Sequence, residues 1–455
     1  MAASVFDMVL TRHLWSTDEL RSIFSDENRV RKWFLYEAQL AQAQAALGIV
    51  PQAAADDIEA HANVESVDLE AIAEGIRTTR HPLVPALRAL QQQCLPEHGE
   101  WLHYGPTTQD VLDTGTVLQL REAHAVFRRD LAAVGREVYR LAQVHRDTPM
   151  AGRTHSVQAL PITFGHKCAI WLAELARHDV RLGEVEPRLF TGSMVGAVGT
   201  QASFGPKAFE LEALLMQRLD LHLPEVSWQP ARDRFVEYAN VLGLLGGTLG
   251  KIAGEIRLLG HNEIGELEEH FGDGKVGSST MPHKRNPATC ENVITVGTSL
   301  RYNVAFIHES MQQQHERDGA AWKVEWKALP EICMGVGAML EQMQTVLAGL
   351  VVNTGRMRAN LDLLGGYLLT ERVMFELSGK VGKQTAHEQV VEASVHGMDH
   401  GLTLEQSLLS MPSIAAVMSR EELGAVLDPT TYVGLAPQIV DRVLERTRTS
   451  GWLER

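Results

Sequence analysis

The placement of proline constrains this chain more than any other feature. Proline lacks a backbone donor and clashes with the preceding turn, so it interrupts helix interiors and central strands. Proline-free windows run from Pro106 to Pro149, Pro161 to Pro187, Pro230 to Pro282, Pro287 to Pro330 and Pro330 to Pro412. Each is far longer than an average helix. In the third window Leu245, Leu249, Ile252, Ile256 and Leu259 recur at spacings of 4, 3, 4 and 3, the apolar seam of a helix laid lengthwise on other helices. Gly243, Gly246, Gly247, Gly250 and Gly254 share that stretch. Each costs up to ~1 kcal/mol of helix propensity and lets a neighbouring backbone approach. No alternating β-branched run is long enough to build a sheet, and no βαβ rhythm is present. The chain is predicted to be all-α. The seam is also expected to be too long for one subunit to cover, which predicts obligate oligomerisation.

Composition removes several classes. The 455 residues carry 42 Lys and Arg against 57 Asp and Glu, a formal net charge of −15. That balance excludes a whole-surface role on nucleic acid, which needs a basic face. It leaves room for a local cationic pocket. At 45 % hydrophobic and 22 % charged the chain is neither disordered nor fibrous. Cys94, Cys168, Cys290 and Cys333 form no CxxC pair, so neither a zinc ribbon nor a disulfide framework is expected. Asp7, Arg12, Asp18, Glu19 and Arg21 interrupt the N-terminal stretch, and no apolar run approaches the ~18 residues of a membrane span. A soluble cytoplasmic protein is expected, with no membrane or nucleic-acid partner.

Reactive side chains collect in three short non-helical stretches between the windows, where rigid helices can present them. The third, 272–287, holds glycines at 272, 274 and 277, then Ser278, Ser279, Lys284, Arg285 and Asn286 between Gly277 and Pro287. Cations and amide donors beside a hydroxyl suit a polycarboxylate and would lower a serine toward a usable alkoxide base. The same composition also fits a phosphate-binding surface loop or a solvated basic turn, although GxxxxGK[ST] is absent. The second stretch offers His155, a group that titrates near neutrality, or else a structural histidine. The first, His103 to Asp110, offers Thr107, Thr108 and Gln109 as donors to carboxylate oxygens, or equally as a helix cap. Gln312 to Arg317 forms a further polar cluster, with a solvated helix face as the alternative. His396 and His400 stand one helical turn apart, without an HExxH-type pattern to support a metal site.

The eleven residues from Gly277 to Pro287, GSSTMPHKRNP, resemble the GSSxMPxKxNP signature of the fumarase/aspartase superfamily. The first stretch resembles that family's H-x-G-x-T-S-x-D segment and the second its G-R-T-H segment, in the same order. The likeness runs from about Asp26 to beyond Pro330. It implies a three-domain helical subunit: an N-terminal helical domain at 1–105, a central long-helix bundle at 106–350 carrying the 272–287 loop, and a C-terminal helical domain at 351–455. It further implies a homotetramer with a twenty-helix core, each active site combining loops from three subunits. No cofactor and no metal are expected. By resemblance Ser278 is the general base, and Lys284 and Asn286 hold the carboxylate as it becomes an aci-carboxylate. His155 would protonate the leaving group, with Glu291 as its carboxylate partner. Thr107, Thr108, Gln109, Ser279 and Arg317 would bind substrate carboxylates, and His81 and His103 would line the pocket.

The branch is read from departures. Leu14-Trp15, Ala231, Trp322 and Trp326 stand where the adenylosuccinate lyase branch keeps nucleotide-binding donors, so AMP is not the expected leaving group. Trp228, Trp322 and Trp326 resemble the 3-carboxy-cis,cis-muconate cycloisomerase branch, which often lacks a histidine where this chain keeps His155. A retained acid suits elimination of a poor leaving group. The expectation is a lyase releasing fumarate or a close relative from a substituted succinate, with an amine-type leaving group. Lactonisation by a cycloisomerase is the alternative, and a purely structural role is disfavoured by the complete set of reactive residues.

Overall fold

The computed structural model describes residues 4–272, 274 and 276–455. Regular structure is overwhelmingly helical, as the periodicity requires. The elements that matter below are α1 (Asp26–Ala46), α2 (Gln52–His61), α3 (Thr108–Val144), β1 (Pro149–Thr154), β2 (Val157–Thr163), α4 (Phe164–Leu189), α5 (Asp233–Leu259), α6 (Ala288–Ile307) and α7 (Gly319–Ala348). Strands β1 and β2 pair antiparallel. No helix among the described residues is long and apolar enough to cross a membrane. The chain divides into two compact units. One holds Met1–Leu131, His178–Gly250 and Asn292–Glu341; the other holds Ala132–Arg177, Lys251–Glu291 and Gln342–Arg455.

The structure departs from two expectations. Pro330, a window boundary in the sequence, lies inside α7, and Pro187 lies inside α4. A proline in a helix interior costs roughly 3 kcal/mol. Around Pro330 that cost is offset by burial, since Leu329, Ile332 and Cys333 are all within 1 % of fully buried. The second correction concerns the seam. Leu245, Leu249, Ile252, Ile256 and Leu259 are each 0–1 % exposed within a single subunit. One chain therefore covers the seam, and the seam by itself does not demand oligomerisation. Glycine explains part of this coverage. A Cβ at Gly246 would stand 2.2 Å from Leu300 of α6, so the absent side chain is what admits that leucine.

Candidate active site

The first stretch is organised by one carboxylate. Asp110, fully buried in the first turn of α3, accepts from the Thr107 amide at 3.0 Å, Ser193 Oγ at 2.7 Å, the Val195 and Gly196 amides at 2.9 and 3.0 Å, and Gln229 at 3.2 Å. It caps the helix and also anchors the 193–196 strip. The Thr107 hydroxyl accepts from Arg317 at 2.9 Å, and Arg317 reaches on to the Ala197 carbonyl at 3.2 Å. Thr108 Oγ1 lies 3.3 Å from His81 Nε2. Gln109 differs from its neighbours. It is fully buried, and its amide donates to Asp113 at 3.1 Å and to the Gln229 carbonyl at 3.4 Å.

His81 and His103 are driven in opposite directions. Burial, followed by the proximity of His103, pushes the His81 imidazolium down. His81 Nδ1 accepts from the Val84 amide at 3.1 Å, which leaves the proton of the neutral ring on Nε2, facing Thr108. For His103 burial also works against charge, but Glu37, 2.7 Å away and fully buried, outweighs it and the net shift is upward. Two adjacent imidazoles with separated titrations are the pattern expected where one group must stay neutral and the other cationic. The backbone of His103 adopts a left-handed conformation (φ 57°), a strained setting for a non-glycine residue.

The signature loop is held by short-range contacts. Ser278 Oγ accepts from the Thr280 and Met281 amides at 3.3 and 3.1 Å, so backbone dipoles already point at the oxygen that would carry negative charge. Asn286 donates to the Gly277 carbonyl at 2.7 Å and closes the loop across nine residues. A Cβ on Gly277 would lie 2.0 Å from the Lys284 carbonyl, so the closure requires glycine there. Ser279, Lys284 and Asn286 are exposed, and Ser278 is half-buried. Arg285 pairs with Glu268 at 2.7 Å. Glu269 accepts from the Thr289 and Cys290 amides at 3.2 and 3.1 Å and so caps α6, whose first turn carries Glu291.

His155 stands at the tip of the β1–β2 hairpin. Thr154 pairs with Val157, leaving His155 and Ser156 as the two turn residues, with φ 50° and 70°. A two-residue type I′ hairpin turn needs positive φ at both positions and normally uses Asn-Gly. Keeping His and Ser there stores strain and fixes an exposed imidazole on a stiff ribbon. The ribbon is anchored by Arg153, bidentate to the fully buried Glu266 at 2.7 and 2.9 Å.

Sequence reading missed the supports of these groups. Asp110 closes the quoted H-x-G-x-T-S-x-D pattern and could have been found there. Glu37 and Glu266 carry no local signal. Nor does the most buried charge cluster. Arg232, fully buried, is bidentate to Asp113 at 2.7 and 3.0 Å and to Glu325 at 2.8 and 2.5 Å. Trp322 Nε1 adds a bond to Asp113 at 2.9 Å. Trp322 and Trp326, edge to face at 5.0 Å, wall a cavity of about 390 Å³. Its lining includes the carboxylates of Asp26, Glu27, Glu70, Asp113 and Glu325 against one guanidinium, that of Arg29.

A helical subunit with a GSSxMPxKxNP loop closed on its own glycine defines a class of enzyme, and the comparisons agree. The family described as Lyase matches residues 12–301, and the family described as adenylosuccinate lyase C-terminus matches residues 366–443. The chain belongs to the fumarase/aspartase superfamily of lyases. It is 46 % identical over 453 residues to N-acetyl-S-(2-succino)cysteine lyase of Dickeya dadantii, covering all of both chains. It is 39 % identical over 436 residues to 3-carboxy-cis,cis-muconate cycloisomerase of Pseudomonas aeruginosa, covering 95 % of each. Among solved structures, the 3-carboxy-cis,cis-muconate lactonizing enzyme of Pseudomonas putida superposes with a TM-score of 0.91 at 37 % identity, over 96 % of this chain and 98 % of that one.

Proposed function

We propose that this protein is a carbon–sulfur lyase that splits a 2-thio-substituted succinate, an S-(2-succino) derivative of an N-acylated cysteine, into fumarate and the free thiol. The observation that carries this reading is the 46 % identity, over the whole of both chains, to a lyase named for that substrate. The amine-type leaving group expected from the residues alone gives way to a thiolate. Elimination from a succinate is common to both.

In this reading Ser278 Oγ takes a proton from the methylene carbon next to one carboxylate. The electron pair moves into that carboxylate, and Lys284 and Asn286 offset its second negative charge. The pair returns to form the carbon–carbon double bond as the carbon–sulfur bond breaks. Sulfur leaves with the bonding electrons, and His155, partnered by Glu291, supplies its proton. Thr107, Thr108, Ser279 and Arg317 bind carboxylates, with Gln109 behind them holding Asp113. His103 adds positive charge and His81 a neutral donor.

A nucleotide leaving group is disfavoured by the tryptophan-walled cavity, where Asp113 and Glu325 are taken up by Arg232 and Asp26, Glu27 and Glu70 remain against the one guanidinium of Arg29. A homotetramer with shared sites is part of the proposal. On α5 the row Gly247, Gly250 and Gly254 faces open space, and Leu244 and Leu258 flank it 55 % and 45 % exposed. Such a row suits close packing against helices of other subunits. Sedimentation showing an active monomer would remove this part.

The decisive experiment supplies N-acetyl-S-(2-succino)cysteine and 3-carboxy-cis,cis-muconate separately and follows fumarate and muconate absorbance. Fumarate with one equivalent of thiol supports the lyase. Loss of muconate absorbance with no fumarate from the thioether replaces it with the cycloisomerase reading.

A further inference from the structure

Away from the residues placed in the reaction above, three metal-ligating side chains meet in the N-terminal part of the chain, and His98 lies against one of them. Asp57 and His61 lie one turn apart on α2, Cys94 follows the helix that ends at Gln91, and His98 lies in the short Pro96–Gly99 helix. One ligand atom each from Asp57, His61 and Cys94 falls within 4.8 Å of the others. The two Asp57 oxygens point at different rings: Oδ1 lies 3.2 Å from His61 Nδ1, and Oδ2 lies 3.3 Å from His98 Nδ1. We propose that Asp57, His61, Cys94 and His98 form a structural binding site for a divalent cation of the zinc class.

Three observations carry it. The first is the donor set. One thiolate, two imidazoles and one carboxylate make a borderline-soft, four-ligand shell of the kind that closes around zinc in structural sites. The deprotonated thiol and the carboxylate together balance a dication. The second is an unsatisfied atom. His98 Nδ1 is buried and makes no hydrogen bond, although it lies against Asp57 Oδ2. A buried ring nitrogen beside a carboxylate oxygen, with no hydrogen bond formed between them, is a position that a shared cation can fill. The third is spacing. Bonds of about 2.0–2.3 Å in a tetrahedron hold ligand atoms roughly 3.3–3.8 Å apart. The Asp57–His98 separation of 3.3 Å already matches, and the 41 % exposed side chain of His61 is free to turn its Nε2 inward.

The site is well supported. Asp57 Oδ2 also accepts from the Leu95 amide at 2.8 Å, which fixes the carboxylate relative to Cys94. His61 Nδ1 lies 2.8 Å from the Asp57 carbonyl, a backbone partner of the kind that orients ligating imidazoles. Cys94 is 8 % exposed, and its Sγ–H donates to the Leu90 carbonyl at 3.5 Å. Binding breaks that bond and releases the thiol proton to solvent as the sulfur–metal bond forms. No electron transfer is involved, and the bound ion ties α2 to the Cys94–Gly99 segment.

The test uses the intact, full-length enzyme, stripped with a chelator and titrated anaerobically with cobalt(II). The expected result is one cobalt per chain with a thiolate-to-cobalt charge-transfer band and the strong visible bands of a tetrahedral ion. Cys94→Ser should lose the charge-transfer band, and His98→Gln should weaken zinc binding at least ~10-fold. Zinc should raise the melting temperature of the wild type and leave that of His98→Gln unmoved. If Cys94→Ser fails to fold, His98→Gln and Asp57→Asn decide through zinc affinity, with circular dichroism as the fold control. A wild type without the charge-transfer band overturns the proposal. So does a band that survives in Cys94→Ser, or zinc affinity unchanged in both other variants.

Discussion

Two regions carry the proposed chemistry, and they are built in opposite ways. The start of α3 rests on buried charge: Asp110 with five donors, and Arg232 bidentate to two carboxylates with no solvent contact. The signature loop around Ser278 is exposed, and its geometry rests on a glycine, one amide and three turn bonds. In the proposed reaction the first arrangement is a carboxylate-binding surface set before substrate arrives. In the same proposal the second supplies the base and the cradle for the developing charge, with little packing to stabilise them. Loss of a group should therefore act on stability in the first region and on turnover in the second.

The sharpest way to break that contrast is Ser278→Ala. Turnover should fall by ~10²–10⁴-fold, the usual contribution of a positioned base. Thermal unfolding should match the wild type, since among the described residues the hydrogen bonds of this side chain stay within its own turn. Turnover within threefold of the wild type would end the assignment of Ser278.

Arg232→Met tests the other side. Removing the guanidinium strands Asp113 and Glu325 in the core, which should cost about 3–5 kcal/mol. Urea unfolding measures it, and a loss under ~1 kcal/mol would show that the triad is not structural support for α3.

His155→Leu should lower kcat on a thioether by roughly tenfold, the shallow end of acid catalysis. A thiolate with a pKa near ~8.5 departs without much help. An amine-type substrate, if turned over at all, should suffer far more. Equal losses on the two, with kcat and KM measured separately, would remove His155 as the proton donor.

A smaller effect links pH to the first region. Glu37 raises the His103 pKa, so the folded state binds that proton more tightly than the unfolded state. The stabilisation is complete below the unfolded value and disappears as pH climbs through the raised folded value. Substrate affinity should follow the same proton. Glu37→Gln should move the alkaline rise of KM to lower pH and leave kcat on its plateau. An unmoved profile would show that His103 does not titrate in binding.

The smallest expected effect is a gain. Ser156→Gly relieves a positive φ of 70° in the hairpin turn and should add ~0.5–1 kcal/mol of stability. A loss would mean that Ser156 makes a contact worth more than the strain.

Helices and loop positions were legible because their signals are local. The seam on α5 obeys a periodicity of three and four, and the signature loop is contiguous. Pro330 misled as a boundary because burial of its neighbours overrides a local propensity. The seam misled in a second way, since periodicity shows that a face is covered but not by which chain. Gln109 was read with Thr107 and Thr108 as one donor strip, yet successive residues on a helix point about 100° apart, and this one faces the core. Glu37 beside His103 and Glu266 beside Arg153 come from distant segments, and nothing near either histidine or arginine announces them.

By itself, then, the sequence determined the helical class, the three reactive stretches and the superfamily, all properties of contiguous residues. Only the tertiary structure decided how those residues are charged and held. It chose Glu37 to raise the His103 pKa, Arg232 to brace α3, and the turn conformation that presents His155. These depend on contacts between residues far apart in the chain, and electrostatic energy is set by distance in space rather than by separation along the sequence.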